Sequence, residues 1–147
     1  MKLKIQRLRV NAVLPKQMTP QSAGCDLAAC LDRPVTIPPG QTVKIPTGLA
    51  AELEADSGYV LLAYARSSLA ANHGIAPANC VGVIDLDYRG EIFIPLHNSS
   101  SEPYTVLDGE RIAQLIVAPV ILPDIVETNE LSDTDRGAGG FGSTGKT

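Results

Sequence analysis

Two acids, an aromatic and a base fall within five residues of one stretch. Gly82–Ile92 reads GVIDLDYRGEI and carries Asp85, Asp87, Tyr88 and Arg89. Val83 and Ile84 before them are β-branched, and Glu91–His97 (EIFIPLH) resumes an apolar alternation. That pattern predicts strand, turn, strand: a β-hairpin with its tip near Leu86 to Gly90. Asp and Gly are ordinary turn formers, so a tip built only to turn the chain would also contain them. Other segments hold polar groups of the same kind. Gly24 beside Asp26 suggests a tight backbone holding a carboxylate, or a strand entry with a surface acid. Arg66, Ser67 and Ser68 stand together, and Arg111 and Gln114 interrupt an apolar run. The last stretch, Arg136–Gly145 (RGAGGFGSTG), is half glycine. It exposes many N–H donors, Ser143 and Thr144 add hydroxyls and Arg136 a cation, so a polyphosphate can order it.

Gly140–Thr147 (GFGSTGKT) fits the phosphate-binding pattern G-x-x-x-x-G-K-[ST] letter for letter. That loop works only between a strand and a helix whose N-terminus faces the phosphate. The sequence stops at Thr147, which leaves no room for the helix, so a P-loop fold is rejected.

The chain has 147 residues, enough for one domain with a core of its own. Hydrophobic residues make up 44% but aromatics only 4%, with no Trp, so the core must be aliphatic. The 13 Gly and 11 Pro break the chain often, which suits many short strands. Net charge is −4 and there is no Lys/Arg block, which argues against nucleic-acid and membrane partners. An anionic ligand would need local arginines, backbone N–H groups and a metal to hold it against that charge. Cys25, Cys30 and Cys80 are odd in number and lack a Cys-x-x-Cys spacing, so reduced buried thiols are expected rather than disulfides or a zinc site with His73 and His97. The N-terminus, MKLKIQRLRV, lacks a signal-peptide apolar run, so an intracellular, cytoplasmic protein is expected.

The elements that must position these residues read as follows. Leu3, Ile5, Leu8 and Val10 alternate with polar residues, with a phase slip that a bulge in an edge strand would cause. Residues 32–40 read as a proline-punctuated connection. Residues 42–45, 49–53, 59–65, 104–107 and 111–118 read as strands, that at 59–65 buried on both faces. Ser67 or Ser68 can cap a helix of about two turns that stops at Gly74, the one convincing helix. The fold class is therefore all-β, sandwich-like or barrel-like with one short helix. A β domain spans 1–132, and 133–147 is a flexible glycine-rich C-terminal arm.

Five segments stand in order: AGCDL (23–27), ARSSLA (65–70), GVIDLDYRGEI (82–92), GERIAQLI (109–116) and RGAGGFGSTG (136–145). Together they resemble the five motifs of the trimeric dUTPases, deoxyuridine triphosphate nucleotidohydrolases, over essentially the whole chain. Cys25 sits where that family often has an aromatic, and Ala65 where Pro usually precedes the Arg. The resemblance implies a distorted jelly-roll, a homotrimer with active sites at subunit junctions, a tail closing over a neighbour's site, Mg²⁺, and conversion of dUTP and water to dUMP and pyrophosphate.

Residue by residue, the resemblance makes Asp85 the general base that orients water for attack on the α-phosphorus, a role typically worth about 10²–10⁴-fold. Asp26 matches the acid of the first motif, in the outer shell of the metal or paired with Arg66. Mg²⁺ itself would be held mainly by phosphates and water. Arg66, Ser67, Ser68 and Gln114 match phosphate contacts, although Ser68 can also be a helix cap and Gln114 a buried structural amide. Arg136, Ser143 and Thr144 match the tail's grip on the γ-phosphate, Gly142 a further substrate-binding position, and Phe141 the stacking ring over uracil. Tyr88 would pack under the deoxyribose and exclude a 2′-OH, while backbone groups around Asn79, Gly82 and Val83 would pair with uracil. Arg111 reads as a structural or trimer-axis ion pair, and Asp87 and Glu91 as stabilisers of the hairpin. Two rivals stand against this: dCTP deaminase on a related fold, and a non-catalytic trimer. The glycine-rich tail and the intact Asp-x-Asp-Tyr argue against both.

Overall fold

The computed structural model describes residues 1–56 and 58–140. Its elements are β1 (Leu3–Arg7), β2 (Cys25–Ala28), β3 (Val35–Ile37), β4 (Thr42–Pro46), β5 (Leu49–Leu53), β6 (Tyr59–Ala65), α1 (Ser67–His73), β7 (Ile75–Pro77), β8 (Gly82–Ile84), β9 (Phe93–Asn98), β10 (Tyr104–Val106) and β11 (Arg111–Pro119). The strands form four separate sheets: β1-β5, β10-β3, β2-β11-β6-β8 and β4-β9-β7. Every pairing is antiparallel. This is the all-β, jelly-roll-like architecture with one short helix that the sequence predicts.

The sheets wrap one aliphatic core. Leu27, Ile37, Ile45, Leu49, Leu61, Ile75, Ile94, Leu96, Val106 and Ile112 are its largest fully buried apolar side chains, and no aromatic is among them. Two buried polar residues are satisfied. Thr47 donates its hydroxyl to the Ile92 carbonyl at 2.7 Å. The Asn98 amide donates to the Ile37 and Glu102 carbonyls at 2.9 and 2.7 Å and fixes the turn after β9. An unpaired buried amide would cost about 1–3 kcal/mol, so these bonds are what permits polar groups there.

Four expectations are corrected. First, Gly82–Ile92 is not a hairpin. β8 pairs with β6, Gly82 opposite Ala63, whereas β9 pairs with β4 and β7 in a different sheet. Residues 85–92 cross from one sheet to the other. Alternation and turn residues report that two strands exist, but their partners lie far away in sequence. Second, Arg66, in extended conformation at φ −84° and ψ 130°, occupies the N-cap of α1 without a side-chain cap bond, so neither Ser67 nor Ser68 caps it. The predicted stop holds: Gly74 is left-handed at φ 65° and its N–H reaches the Ala70 carbonyl. Third, β1 carries no bulge. It pairs in unbroken register from Leu3↔Leu53 to Arg7↔Leu49 and simply ends, leaving Leu8 and Val10 exposed. The register shift falls instead in β11, between Arg111 and Ala113, against β2. Fourth, the connection at 32–40 contains β3, three residues that find a ladder only because β10 comes alongside. Short β7 likewise exists only through its pairing with β9.

β11 is the last regular element among the described residues. Beyond it Ile121, Leu122, Ile125, Val126 and Leu131 are 70–95% exposed.

Candidate active site

The crossing at 85–92 forms one wall of a cleft of about 260 Å³. Five predicted site residues line it: Asn79, Gly82, Val83, Asp85 and Tyr88. Asn79 belongs to a tight turn before β8, closed by the Cys80 N–H on the Pro77 carbonyl (3.0 Å) and the Val81 N–H on the Asn79 carbonyl (2.6 Å). Cys80 holds a left-handed φ of 61°, which costs a non-glycine residue on the order of 1 kcal/mol, so the turn is held by its surroundings. Gly82 lies against Ala63, where a Cβ would approach the Ala63 methyl to 3.1 Å. Asp85 is exposed at the start of the crossing, and its carbonyl accepts the Tyr88 N–H at 3.2 Å. Tyr88 folds back over its own turn. Its hydroxyl donates to the Glu91 carbonyl at 2.9 Å, and a Cβ on Gly90 would overlap the Tyr88 hydroxyl and ring. Glu91, read as a turn stabiliser, accepts the Gly48 N–H at 2.8 Å and lies 3.7 Å from Arg9, so it ties the crossing to β5.

The opposite wall was not legible in the sequence. Lys44, Phe93 and Pro95 line the same cleft, with the Lys44 ammonium 5.1 Å from the Phe93 ring centroid. Only the β4–β9 register, with Lys44 opposite Pro95, brings them there.

A second cleft, of about 320 Å³, gathers Gly24, Asp26, Arg66, Arg111 and Gln114. Asp26 is nearly buried, its side chain 9% exposed, and one carboxylate oxygen faces two cations: Arg111 Nη1 at 2.9 Å and Arg66 Nε at 3.6 Å. Arg66 Nη1 also donates to the Arg111 carbonyl at 3.0 Å. Arg66 Nε itself has no hydrogen-bond partner, the one such buried side-chain nitrogen among the described residues. One acid against two arginines leaves a net positive site beside the Gln114 amide. Gly24 permits it, since a Cβ there would lie 3.3 Å from Gln114 Cβ and Oε1. Arg111 is thus an ion-pair residue within one chain.

The register shows how the clefts relate. Asp26, Gln114 and Tyr64 are cross-strand partners, as are Cys25, Leu115, Ala63 and Gly82. Successive residues of a strand face opposite sides, so Gly82 lies on the face away from Gln114, whereas Val83, opposite Leu62 and through it Ile116, lies on the same face; the two clefts share no lining residue. Asp85 and Arg66 line different clefts of the chain. Ser67 and Ser68 are exposed on the first turn of α1, outside both linings. Arg136 is exposed too, its Nε donating to the Gly139 carbonyl at 2.8 Å. Phe141, Gly142, Ser143 and Thr144 lie outside the described residues.

Among the described residues no three His, Cys, Asp or Glu side chains are grouped to hold a metal. Asp26 is committed to two arginines and Glu91 to Gly48 and Arg9. The donor set fits a hydrated Mg²⁺ carried by phosphates and touched through water, not a protein cage. Burial raises the Cys25 and Cys30 thiols above their ordinary value, which favours their protonated form.

Residues 10–145 match the dUTPase family profile. The chain belongs to the dUTPase family. A deoxyuridine 5'-triphosphate nucleotidohydrolase of Desulfitobacterium hafniense is 51% identical over 146 residues, covering 98% of this chain and 96% of that relative. The corresponding protein of Nautilia profundicola is also 51% identical, covering 99% and 100%. The dUTPase of Staphylococcus bacteriophage 80alpha, described as bound to dUpNHpp, superimposes with a TM-score of 0.86 at 26% identity over 98% of both chains. A mutant dUTPase from phage phi11 of S. aureus, described as coordinating a structural Mg(II) ion, gives a TM-score of 0.80 at 21% identity, covering 90% of this chain and 100% of that one. The jelly-roll fold is thus the dUTPase fold.

Proposed function

We infer that the chain hydrolyses dUTP to dUMP and pyrophosphate. It thereby keeps uracil out of DNA and supplies dUMP for dTMP synthesis. The observation that carries this is the single cleft holding Asp85, Tyr88, Asn79, Gly82 and Val83 in a chain half identical to dUTP nucleotidohydrolases. Asp85 accepts a proton from a water whose oxygen attacks the α-phosphorus, and the bond to the α–β bridging oxygen breaks as pyrophosphate leaves. Tyr88 packs against the deoxyribose. Its ring is held at both ends, by the backbone and by the hydroxyl bond to Glu91, so it does not yield to a 2′-OH. The rigid 79–83 turn presents backbone groups matched to uracil; cytosine would leave them unpaired, at about 1–3 kcal/mol each.

Arg66, Ser67, Ser68 and Gln114 serve the triphosphate, and Asp26 serves by holding Arg66 in place and by accepting hydrogen bonds from water on the metal. Bound Mg²⁺ supplies charge neutralisation at the phosphates. The tail brings Arg136, Phe141, Gly142, Ser143 and Thr144. A homotrimer with shared sites is supported by two features: Asp85 and Arg66 line different clefts of one chain, and residues 121–131 expose apolar side chains that a neighbour would cover. Residues 1–132 form the β domain and 133–147 the closing arm. No helix among the described residues is long and apolar enough to cross a membrane; cytoplasmic location is part of this proposal.

The test is pyrophosphate release from dUTP, dCTP, dTTP and UTP in parallel, with Mg²⁺ and with a chelator. Release from dUTP alone, weakened by the chelator, is expected. Ammonia from dCTP without pyrophosphate from dUTP would overturn the reading.

A further inference from the structure

The segment that carries Asp85 and Tyr88 has no ladder of its own. β8 ends at Ile84 and β9 begins at Phe93, so carbonyls between them have no strand partner. Two of them, those of Leu86 and Tyr88, accept hydrogen bonds from one side-chain nitrogen, Arg89 Nη1, the second at 3.1 Å. Arg89 Nε also lies 4.0 Å from Glu52 Oε2 on β5, and Glu52 Oε1 accepts from Lys4 Nζ of β1 at 3.0 Å. The guanidinium that holds the crossing thus also faces the β1-β5 sheet. Arg89 does not line the 260 Å³ cleft; it lines a smaller one, of about 140 Å³, together with Lys4, Gln6 and Glu52. Its guanidinium thus grips the crossing from outside the nucleotide cleft.

We propose that Arg89 is a positioning residue for both turnover and sugar selectivity, acting through the backbone of residues 86–88 to fix Asp85 and Tyr88. The proposal rests on the roles assigned above to those two side chains. A guanidinium suits this role because its planar fork is always charged and can bond the two carbonyls while facing Glu52. An ammonium at the end of a shorter stem lacks that fork. Tyr88 is locked at its tip by Glu91 and at its base by Arg89, so loosening the base lets the ring tilt away from the sugar while its hydroxyl stays bound.

The experiment measures kcat and KM for dUTP and UTP on the full chain and on R89A, R89K and E52Q, with melting temperatures. R89A is expected to lose about tenfold or more in kcat on dUTP, as misplaced catalytic groups do. It is also expected to narrow the dUTP-over-UTP preference several-fold, with R89K between it and the wild type. E52Q, which keeps both carbonyl bonds, is expected to hold the preference at the wild-type value. R89A with unchanged kcat and preference overturns the proposal. So does a fall in kcat with the preference unmoved, since general loss of fold would do the same. If R89A does not fold, R89K decides: wild-type values of both quantities overturn the proposal. Y88A in the same assay separates the failures. If it leaves the preference untouched, the assigned role of Tyr88 has failed; if it relaxes the preference and R89A does not, only the Arg89 proposal has.

Discussion

Asp85 is the one exposed carboxylate at the mouth of the cleft that no arginine or backbone N–H has claimed among the described residues. Asp26 and Glu91, by contrast, are held by the ion pairs already described. A free carboxylate can take a proton, and a paired one costs a partner when it does. Asp85→Asn is therefore expected to lower kcat on dUTP by about 10²–10⁴-fold while nucleotide affinity, followed by equilibrium binding of a non-hydrolysable analogue, stays within a few-fold. Turnover close to wild type would remove Asp85 from the base role. Tyr88→Ala removes the floor under the sugar and is expected to narrow the dUTP-over-UTP ratio of kcat/KM; an unchanged ratio would show that sugar selectivity lies elsewhere. Both residues were legible as chemistry because their types and spacing are unusual for a turn. Lys44 and Phe93 were not, since a Lys and a Phe on alternating strands look like any other surface pair.

Between elements, Tyr104 of β10 bridges the end of α1 and the turn that leads into β11. Tyr104 donates its hydroxyl to Glu110, whose other oxygen accepts the Leu107 N–H at 2.9 Å, and the Tyr104 ring lies 5.2 Å from that of His73 at the end of α1. Burial first, then the Glu110 carboxylate, push the Tyr104 phenol up to about 12. The folded state thus favours the protonated phenol. Its contribution to stability is complete below the ordinary tyrosine value of about 10 and is lost as pH rises through about 12. The melting-temperature difference between wild type and Tyr104→Phe is expected to shift in favour of the Phe variant from about pH 9 to about pH 12, the other tyrosines cancelling. A difference constant across that range would mean that Tyr104 is not held protonated by the fold. The helix shows how far local signals reach. Gly74 stops it as the sequence predicts, because a left-handed C-terminal residue is a local requirement. Its start departs from expectation because two adjacent serines each satisfy the cap preference, and the backbone instead places Arg66 at the cap.

At the scale of the molecule, residues 121–131 leave Ile121, Ile125 and Leu131 more than 80% exposed, and such a run of apolar side chains is normally covered by a partner. Removing residues 120–147 is expected to leave the β sheets folded but to convert a trimer-sized particle into a monomer-sized one by light scattering, with loss of dUTP turnover. A truncated chain that stays trimeric would show that the sheet faces alone hold the assembly. Turnover retained by a monomer would refute the shared site.

By itself the sequence determined the fold class, most strand positions, the helix stop and the residue types able to handle a triphosphate. Each of these follows from periods of two, from turn chemistry or from propensity within about ten residues. It also carried the five ordered segments from which membership of the dUTPase family was expected. Only the tertiary structure decided that Gly82–Ile92 crosses between sheets instead of turning back. Only it decided that Asp26 answers two arginines, that Lys44 and Phe93 wall the cleft, and that Arg89 grips the crossing from behind. Arg89 bonds carbonyls only one and three residues away, left open because the crossing has no ladder; for the other three the physical reason is common. Strand partnership and ion pairing join residues tens of positions apart, and the pleat then settles which face each side chain takes.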